Sequence, residues 1–168
     1  MLEDHAEWKS AAERLLFLEA RYLDLKEWDV WAALYEEDAE YWVPSWLNEY
    51  DLVLDPASCV SFIYHDSRAQ LLERIARIES RKSITALPLP RTLHLISNIV
   101  VTEATDAVAD VQSCWTTHVY DPRTCKEHVH FGMYHHRVRR YDDRLSIARK
   151  KITIMNDRIP TVLDFYSI

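Results

Sequence analysis

One glycine in 168 residues, Gly132, removes several kinds of chemistry at the outset. A glycine-rich phosphate loop cannot be built from it, and neither a serine elbow nor a paired zinc motif occurs. Cysteine is scarce too. Cys59, Cys114 and Cys125, in a chain without a signal-like apolar segment, point to a reducing cytoplasm and not to a disulfide scaffold. No run approaches the ~20 apolar residues of a membrane span. Basic residues are outnumbered, 20 against 27 acidic, and the formal charge of -7 argues against nucleic acid as the main partner, because phosphate binding needs a concentrated positive field. The length fits one domain, residues 1–168, which at this size hides about 70% of the surface of its unfolded chain. Aromatic residues, by contrast, are plentiful. Six tryptophans and nine tyrosines either fill a core or build contact surfaces.

The stretch 107–155 organises the chain. Ala109, Val111, Trp115 and Val119 alternate with Asp110, Gln112, Thr116 and His118, the period-two pattern of a strand with one buried face. Asp121-Pro122-Arg123-Thr124 predicts a reversal into a second run, His128 to Tyr141, and Asp142-Asp143-Arg144 a reversal into a third, Leu145 to Met155. The result is an antiparallel meander of long strands. The apolar side of the second run changes from Val129, Phe131 and Met133 to Tyr134 and Val138, and that of the third from Leu145 and Ile147 to Ile152 and Ile154. Each change predicts a bulge or bend, with Gly132 relieving crowding there. One end of the curved sheet then serves helices and the other a second chain.

Upstream, Trp8, Ala11, Leu15, Leu18, Tyr22 and Leu25 follow helical spacing, with Asp4 and Glu7 as a start signal. Trp28, Trp31, Leu34 and Tyr35 suggest a second short helix with Asp29 near its start, and Ala39 to Val43 a strand stopped by Pro44. The segment Ser45 to Tyr64 is loop-like yet carries Trp46, Leu52, Val53 and Leu54, which predicts an ordered excursion packed on something, another subunit included. A third helix starts near Ser67, with Gln70 completing a capping box, and buries Leu71, Ile75 and Ile78. Pro88 and Pro90 keep the next stretch irregular before a strand from about Thr92 to Thr102. Helices followed by a meander give an α+β domain with helices on one side of a curved sheet.

The chemistry-bearing residues form no complete site. Four of the eight histidines cluster at His128, His130, His135 and His136, and the first two share a strand face, but no third ligand is well placed. Half-buried hydrogen bonding is their ordinary role on a strand. Glu127, His130 and His135 copy the spacing of an iron-binding facial triad, yet residues five apart on a strand point to opposite faces unless a bend reverses the phase. Cys125 and His128 are half of a Rieske pattern whose second half is missing, since Cys114 is followed by Trp115 and Thr116. For acid-base work Asp29, Tyr22, Tyr41 and His94 are candidates at the mouth between helices and sheet, although each has a structural role of its own. Seven of the basic residues lie between Arg137 and Lys151, either as a solvated strand end or as a contact for an acidic partner.

Three segments carry a family resemblance: Ala39-Glu40-Tyr41-Trp42-Val43-Pro44-Ser45-Trp46, Pro90-Arg91-Thr92 with Ile96-Ser97-Asn98, and Ala148-Arg149-Lys150-Lys151-Ile152 through Asn156-Asp157. In these the chain resembles the small (β) subunits of Rieske non-haem iron aromatic-ring-hydroxylating dioxygenases. The ending Val162-Leu163-Asp164-Phe165-Tyr166-Ser167-Ile168 is similar to the benzoate, toluate and anthranilate branch. The resemblance implies a cone-like fold of the nuclear-transport-factor-2 type and a cytoplasmic complex of three large and three small subunits, an enzyme of the EC 1.14.12 type. It places the Rieske [2Fe-2S] cluster and the mononuclear Fe(II) in the large subunit, and NADH on a separate reductase. No catalytic, cofactor-binding or metal-binding residue is carried over to this chain. The competing expectation is a free-standing dehydratase or isomerase of the same fold with its own pocket.

Overall fold

The computed structural model describes residues 2–80, 87–142 and 144–168. Helix α1 (Leu2–Leu25) leads into a short helix α2 (Trp28–Ala32), strand β1 (Tyr35–Val43), a short β2 (Ile63–His65) and helix α3 (Arg68–Glu79). Strands β3 (Arg91–Ala104), β4 (Val108–Asp121), β5 (Lys126–Tyr141) and β6 (Arg144–Ile154) follow, then a 3-10 turn at Phe165–Ser167. The expected α+β order holds. The strands form one six-stranded sheet in the order β2-β1-β6-β5-β4-β3. All neighbours are antiparallel except β1 and β6, which run parallel.

Of the two breaks the sequence suggested in the meander, β5 lacks its own and β6 has its own. Strand β5 pairs with β4 without a register shift from Val108↔Arg139 to Asp121↔Lys126. Its buried face is His130, Gly132, Tyr134, His136 and Val138 throughout, and Val129 and Phe131 are exposed on the outer face. The expected phase switch in this run is therefore overturned: Val129, Phe131 and Met133 stand on the outer face, and His130 and His136 share the inner one with Tyr134 and Val138. The switch in β6 is real. Arg149 pairs with Arg137 but Ile147 with Val138, so Ala148 is an extra residue, and the buried set passes from Ile147 to Lys150, Ile152 and Ile154. A second irregularity bends β3 between Ser97 and Val100, where Asn98 has a positive φ of 53°. Gly132 serves close approach and not a bend in its own strand. A Cβ there would lie 1.9 Å from the Thr153 carbonyl oxygen of β6.

The helices close the concave side. Helix α1 begins at Leu2, ahead of the Asp4 signal, and buries Trp8, Ala12, Leu15, Leu16 and Leu23, while Leu25 stays exposed and Leu18 half-buried. Helix α2 ends at Ala32, so Leu34 lies beyond it and Tyr35 opens β1. Helix α3 starts where expected and buries Leu71 and Ile75, with Ile78 at the edge of the core. Its cap differs by one residue: the Gln70 side chain exchanges bonds with Asp66, accepting from the Asp66 N–H at 3.3 Å and donating to its carboxylate at 2.7 Å, while only the Gln70 backbone N–H bonds Ser67. The reversal between β5 and β6 passes through Asp142, with φ 49°, while Asp143 lies outside the described residues, as does the part of the proline-flanked stretch at 81–86. No helix among the described residues is long and apolar enough to cross a membrane.

One hydrophobic cluster runs from Trp8 through Trp31, Tyr35, Leu71, Trp115 and Tyr134 to Phe165 and Ile168. The last two fill the cone. Phe165 stacks on Trp31 at 4.8 Å between ring centres, and Ile168 is fully buried. The segment is pinned by its own cap, in which the Asp164 carboxylate accepts from the Phe165 N–H and the Ser167 hydroxyl donates to the Asp164 carbonyl. Arg74 on α3 adds a two-pronged bond to Asp164, with contacts of 2.6 and 3.1 Å.

Candidate functional site

Deep in the cone, α1 and the β5–β6 ladder bring together charges that the sequence reading did not single out. Glu19 lies on the buried stripe of α1, and Lys150 and His136 on the inner faces of β6 and β5; all three are buried. Lys150 Nζ donates to Glu19 Oε1 at 2.7 Å, and His136 Nε2 donates to Oε2 at 3.2 Å. The Tyr35 hydroxyl also donates to Oε1. Lys150 Nζ sits 4.0 Å from the centre of the Tyr134 ring. Burial by itself would raise the Glu19 carboxyl, but Lys150 and His136 more than reverse it and hold it well below the usual carboxylate range. Burial pushes Lys150 and His136 down, with Glu19 opposing in both cases. The imidazole is thus a neutral donor to an ion pair.

A second polar row crosses the inner face nearer the wide end. His94 on β3, Thr117 on β4 and His130 on β5 are in register and buried. His94 Nδ1 donates to Asp24 on α1 at 2.6 Å, and its backbone N–H bonds the other carboxylate oxygen. His130 Nδ1 donates to the Ser167 carbonyl at 2.9 Å, which ties the sheet to the closing turn. Their Nε2 atoms and the Thr117 hydroxyl have no hydrogen-bond partner among the described residues.

The acid-base candidates do not assemble. Asp29 is exposed on α2, Tyr22 is half-buried, Tyr41 is wholly buried, and His94 is bound to Asp24 and not to Asp29. Burial first, then Glu19, raises the Tyr41 phenol well above its ordinary value, so it stays neutral. The regular alternation of β5 puts His130 inside and His135 outside, so Glu127, His130 and His135 cannot converge. The rings of His128 and His130 do lie together, 4.8 Å between centres. Among the described residues no three histidine, cysteine or acidic side chains are placed to hold one metal ion. Cys114 faces Met133 in mid-strand while Cys125 sits in the turn beyond Asp121, an arrangement that does not fit a cluster. The three cysteines are free thiols.

A recess of about 270 Å³ at the wide end is lined by Leu89, Val119, His128, Val162 and Tyr166, with Arg74, Arg77 and Arg123 on its wall. Two of these guanidiniums are engaged, Arg74 by Asp164 and Arg123 by Asp121. Burial raises the Tyr166 phenol to about 12, and burial lowers His128.

The outer face of the sheet is different. Leu93, Leu95, Val129 and Phe131 stand in adjacent register on β3 and β5 and are 40% to 56% exposed, a sizeable apolar area for one face. The excursion after Pro44 folds over the opposite border of this face, where Trp46 donates its indole N–H to the Ile154 carbonyl at 2.8 Å. It bridges Leu52 and leaves Tyr50 and Leu54 more than 80% exposed, at 85% and 81%.

Glu19 and Lys150 had a detectable signal. Each falls in phase with apolar neighbours, Glu19 with Leu16 and Leu23 and Lys150 with Ile152 and Ile154, and two opposite charges on buried faces call for each other. Asp24 had none, because it is only half-buried at the end of α1, where an acidic side chain is ordinary.

Comparison with known proteins agrees with this architecture. Residues 18–161 match the family described as the ring hydroxylating beta subunit. The anthranilate 1,2-dioxygenase small subunit of Acinetobacter baylyi is 35% identical over 158 residues, 94% of this chain and 96% of the relative. The toluate 1,2-dioxygenase subunit beta of Pseudomonas putida matches with the same identity and coverage. Among solved structures, the beta subunit of the benzoate 1,2-dioxygenase of Burkholderia mallei superposes with a TM-score of 0.76 at 31% identity, covering 94% of this chain and 95% of that one. With a helix-lined cone filled by its own side chains and a sheet whose outer face carries an exposed apolar patch, the chain belongs to the family of ring-hydroxylating dioxygenase beta subunits.

Proposed function

We propose that the chain, as one domain over residues 1–168, is the scaffolding small subunit of a terminal oxygenase that dihydroxylates an aromatic carboxylate of the benzoate or anthranilate kind. The filled cone carries this reading. Phe165 and Ile168 occupy the space in which a free-standing enzyme of this shape would need a substrate, and the interior charges are spent on one another. The dehydratase or isomerase alternative would have to work in the wide-end recess, where two of the three lining arginines, Arg74 and Arg123, are already paired with both lining aspartates, Asp164 and Asp121.

On this reading the partners are a large oxygenase subunit and further small subunits, in a complex of three and three working in the cytoplasm. The large chain holds the Rieske cluster and Fe(II), and a separate reductase delivers electrons from NADH. The apolar outer face of the sheet and the Trp46 excursion are the surfaces offered to other chains. Expression alone and with a large subunit tests it. The expected result is no turnover and no stoichiometric iron in the isolated chain, and recovery with an iron protein only on coexpression. One iron per chain retained against a chelator, or turnover by the chain alone, overturns the reading.

A further inference from the structure

The wide-end recess stays open beside the filled cone, where α3, the chain leading into β3 and the closing segment meet. Its apolar lining is Ile78, Leu87, Leu89, Val119 and Val162, with Tyr166 beside them. Its charged lining is unequal. Three guanidiniums, of Arg74, Arg77 and Arg123, stand against two carboxylates, of Asp121 and Asp164, and both carboxylates are held by Arg74 and Arg123. Arg77 is exposed on α3 and has no ion pair among the described residues; Glu73, one turn earlier on the same helix, does not come within ion-pair distance. His128 adds no cation near neutral pH, because burial lowers its imidazole, and burial keeps Tyr166 a neutral phenol. One guanidinium is therefore in excess, and it stands over apolar side chains.

That excess selects the ligand. The planar fork of one guanidinium matches the two oxygens of a carboxylate, so the recess suits a monoanion. A phosphate dianion would call for a second unpaired cation, and the other two lining arginines are already engaged. The volume, about 270 Å³, lies at the small end of ligand pockets, which run from roughly 300 to 1,000 Å³, and it admits a body the size of one ring. We infer that the recess binds a small monocarboxylate with a ring-sized apolar body, the carboxylate on Arg77 and the body against Leu89, Val119 and Val162. The site binds and no bond is made or broken in it. The inference stands on the recess and not on the scaffold reading: it gives the chain a ligand of its own, and its test involves neither iron content nor assembly.

Titration of the full chain by itself with benzoate, followed by saturation-transfer NMR of the ring protons, tests this directly. The expected dissociation constant is about 1 mM or tighter. Acetate keeps the charge and benzamide keeps the ring, and each should bind about tenfold or more weakly than benzoate. Arg77→Gln should weaken benzoate about tenfold or more and leave benzamide unchanged, whereas Arg77→Lys, which keeps the charge without the fork, should retain part of the affinity. Val162→Trp, at a side chain 78% exposed, should fill the recess and abolish binding of both ring compounds with an unchanged melting temperature. Arg144→Gln, in the β5–β6 hairpin away from the recess, should change nothing. If Arg77→Gln does not fold, Val162→Trp decides. No saturable binding up to about 10 mM benzoate, or equal affinity for benzoate and either acetate or benzamide, overturns the inference. So does wild-type affinity in folded Arg77→Gln or Val162→Trp, or a loss in Arg144→Gln as large as that in Arg77→Gln.

Discussion

Lys150→Met isolates the energetics of the buried ion pair. Methionine keeps most of the lysine stem but removes the ammonium 2.7 Å from Glu19, leaving a carboxylate that is 2% exposed without its cation. Breaking one side of a buried pair costs about 3–5 kcal/mol, a large share of the roughly 5–15 kcal/mol that holds a domain together. Protonation sets a ceiling. A glutamate with an ordinary pKa of about 4.3 can be neutralised at pH 7 for about 3.7 kcal/mol, at ~1.36 kcal/mol per pH unit, so the fold never loses more than this from the charge itself. Tyr35 and His136 still donate to Glu19, which lowers the cost further, and about 3 kcal/mol is the expected loss at pH 7. Once Glu19 takes up a proton in the variant, the deficit against wild type should shrink by about 1.4 kcal/mol for each pH unit of acidification. Urea unfolding of both proteins between pH 7 and 5.5 measures this, and Glu19→Gln combined with Lys150→Met should recover most of the loss. A deficit under about 1 kcal/mol at pH 7, or one that does not change with pH, would mean that Glu19 is not left as a buried charge without a cation.

Gly132→Ala should cost at least about 1–3 kcal/mol in the same assay, because its Cβ would sit 1.9 Å from the Thr153 carbonyl oxygen and force β6 away; wild-type stability would mean that β6 does not pass so close. Burial lowers both His136 and His130, so below about pH 6.5 the unfolded chain binds more protons than the folded one. Stability is therefore complete above that value and falls as the pH drops from 7 toward 5, and His136→Gln should flatten the decline; an equally steep decline in the variant counts against it. Trp46→Ala should weaken subunit assembly more than it lowers the melting temperature, and an oligomer that resists dilution as wild type does would remove Trp46 from the interface. His128→Gln or His130→Gln in an assembled oxygenase should leave turnover largely intact, since the geometry gives them hydrogen bonds to Thr161 and Ser167. A hundredfold loss, about 2.7 kcal/mol of barrier, with assembly, iron content and cluster spectrum unchanged, would show that this chain contributes chemistry.

The elements whose signals are local were legible in the amino-acid order. Period-two alternation from Ala109 to Val119 and the Asp-Pro turn placed β4 and its reversal, helical spacing from Trp8 placed α1, and the break in phase between Ile147 and Ile152 located the Ala148 bulge. Side chains two, three or four residues apart report the same face of one element, whatever packs against it. The same rule misled in β5. There the outer face carries Val129 and Phe131 and the inner face carries His130 and His136, so hydrophobicity no longer marked the inside. Which face of the sheet is covered, and with it which polar groups are buried, depends on long-range packing. Glu19 meets Lys150 across 131 residues, Asp24 meets His94 across 70, and β1 pairs in parallel with β6 from the opposite half of the chain. These contacts are made by elements that no local pattern relates, and each is favourable only because the fold has removed both partners from water.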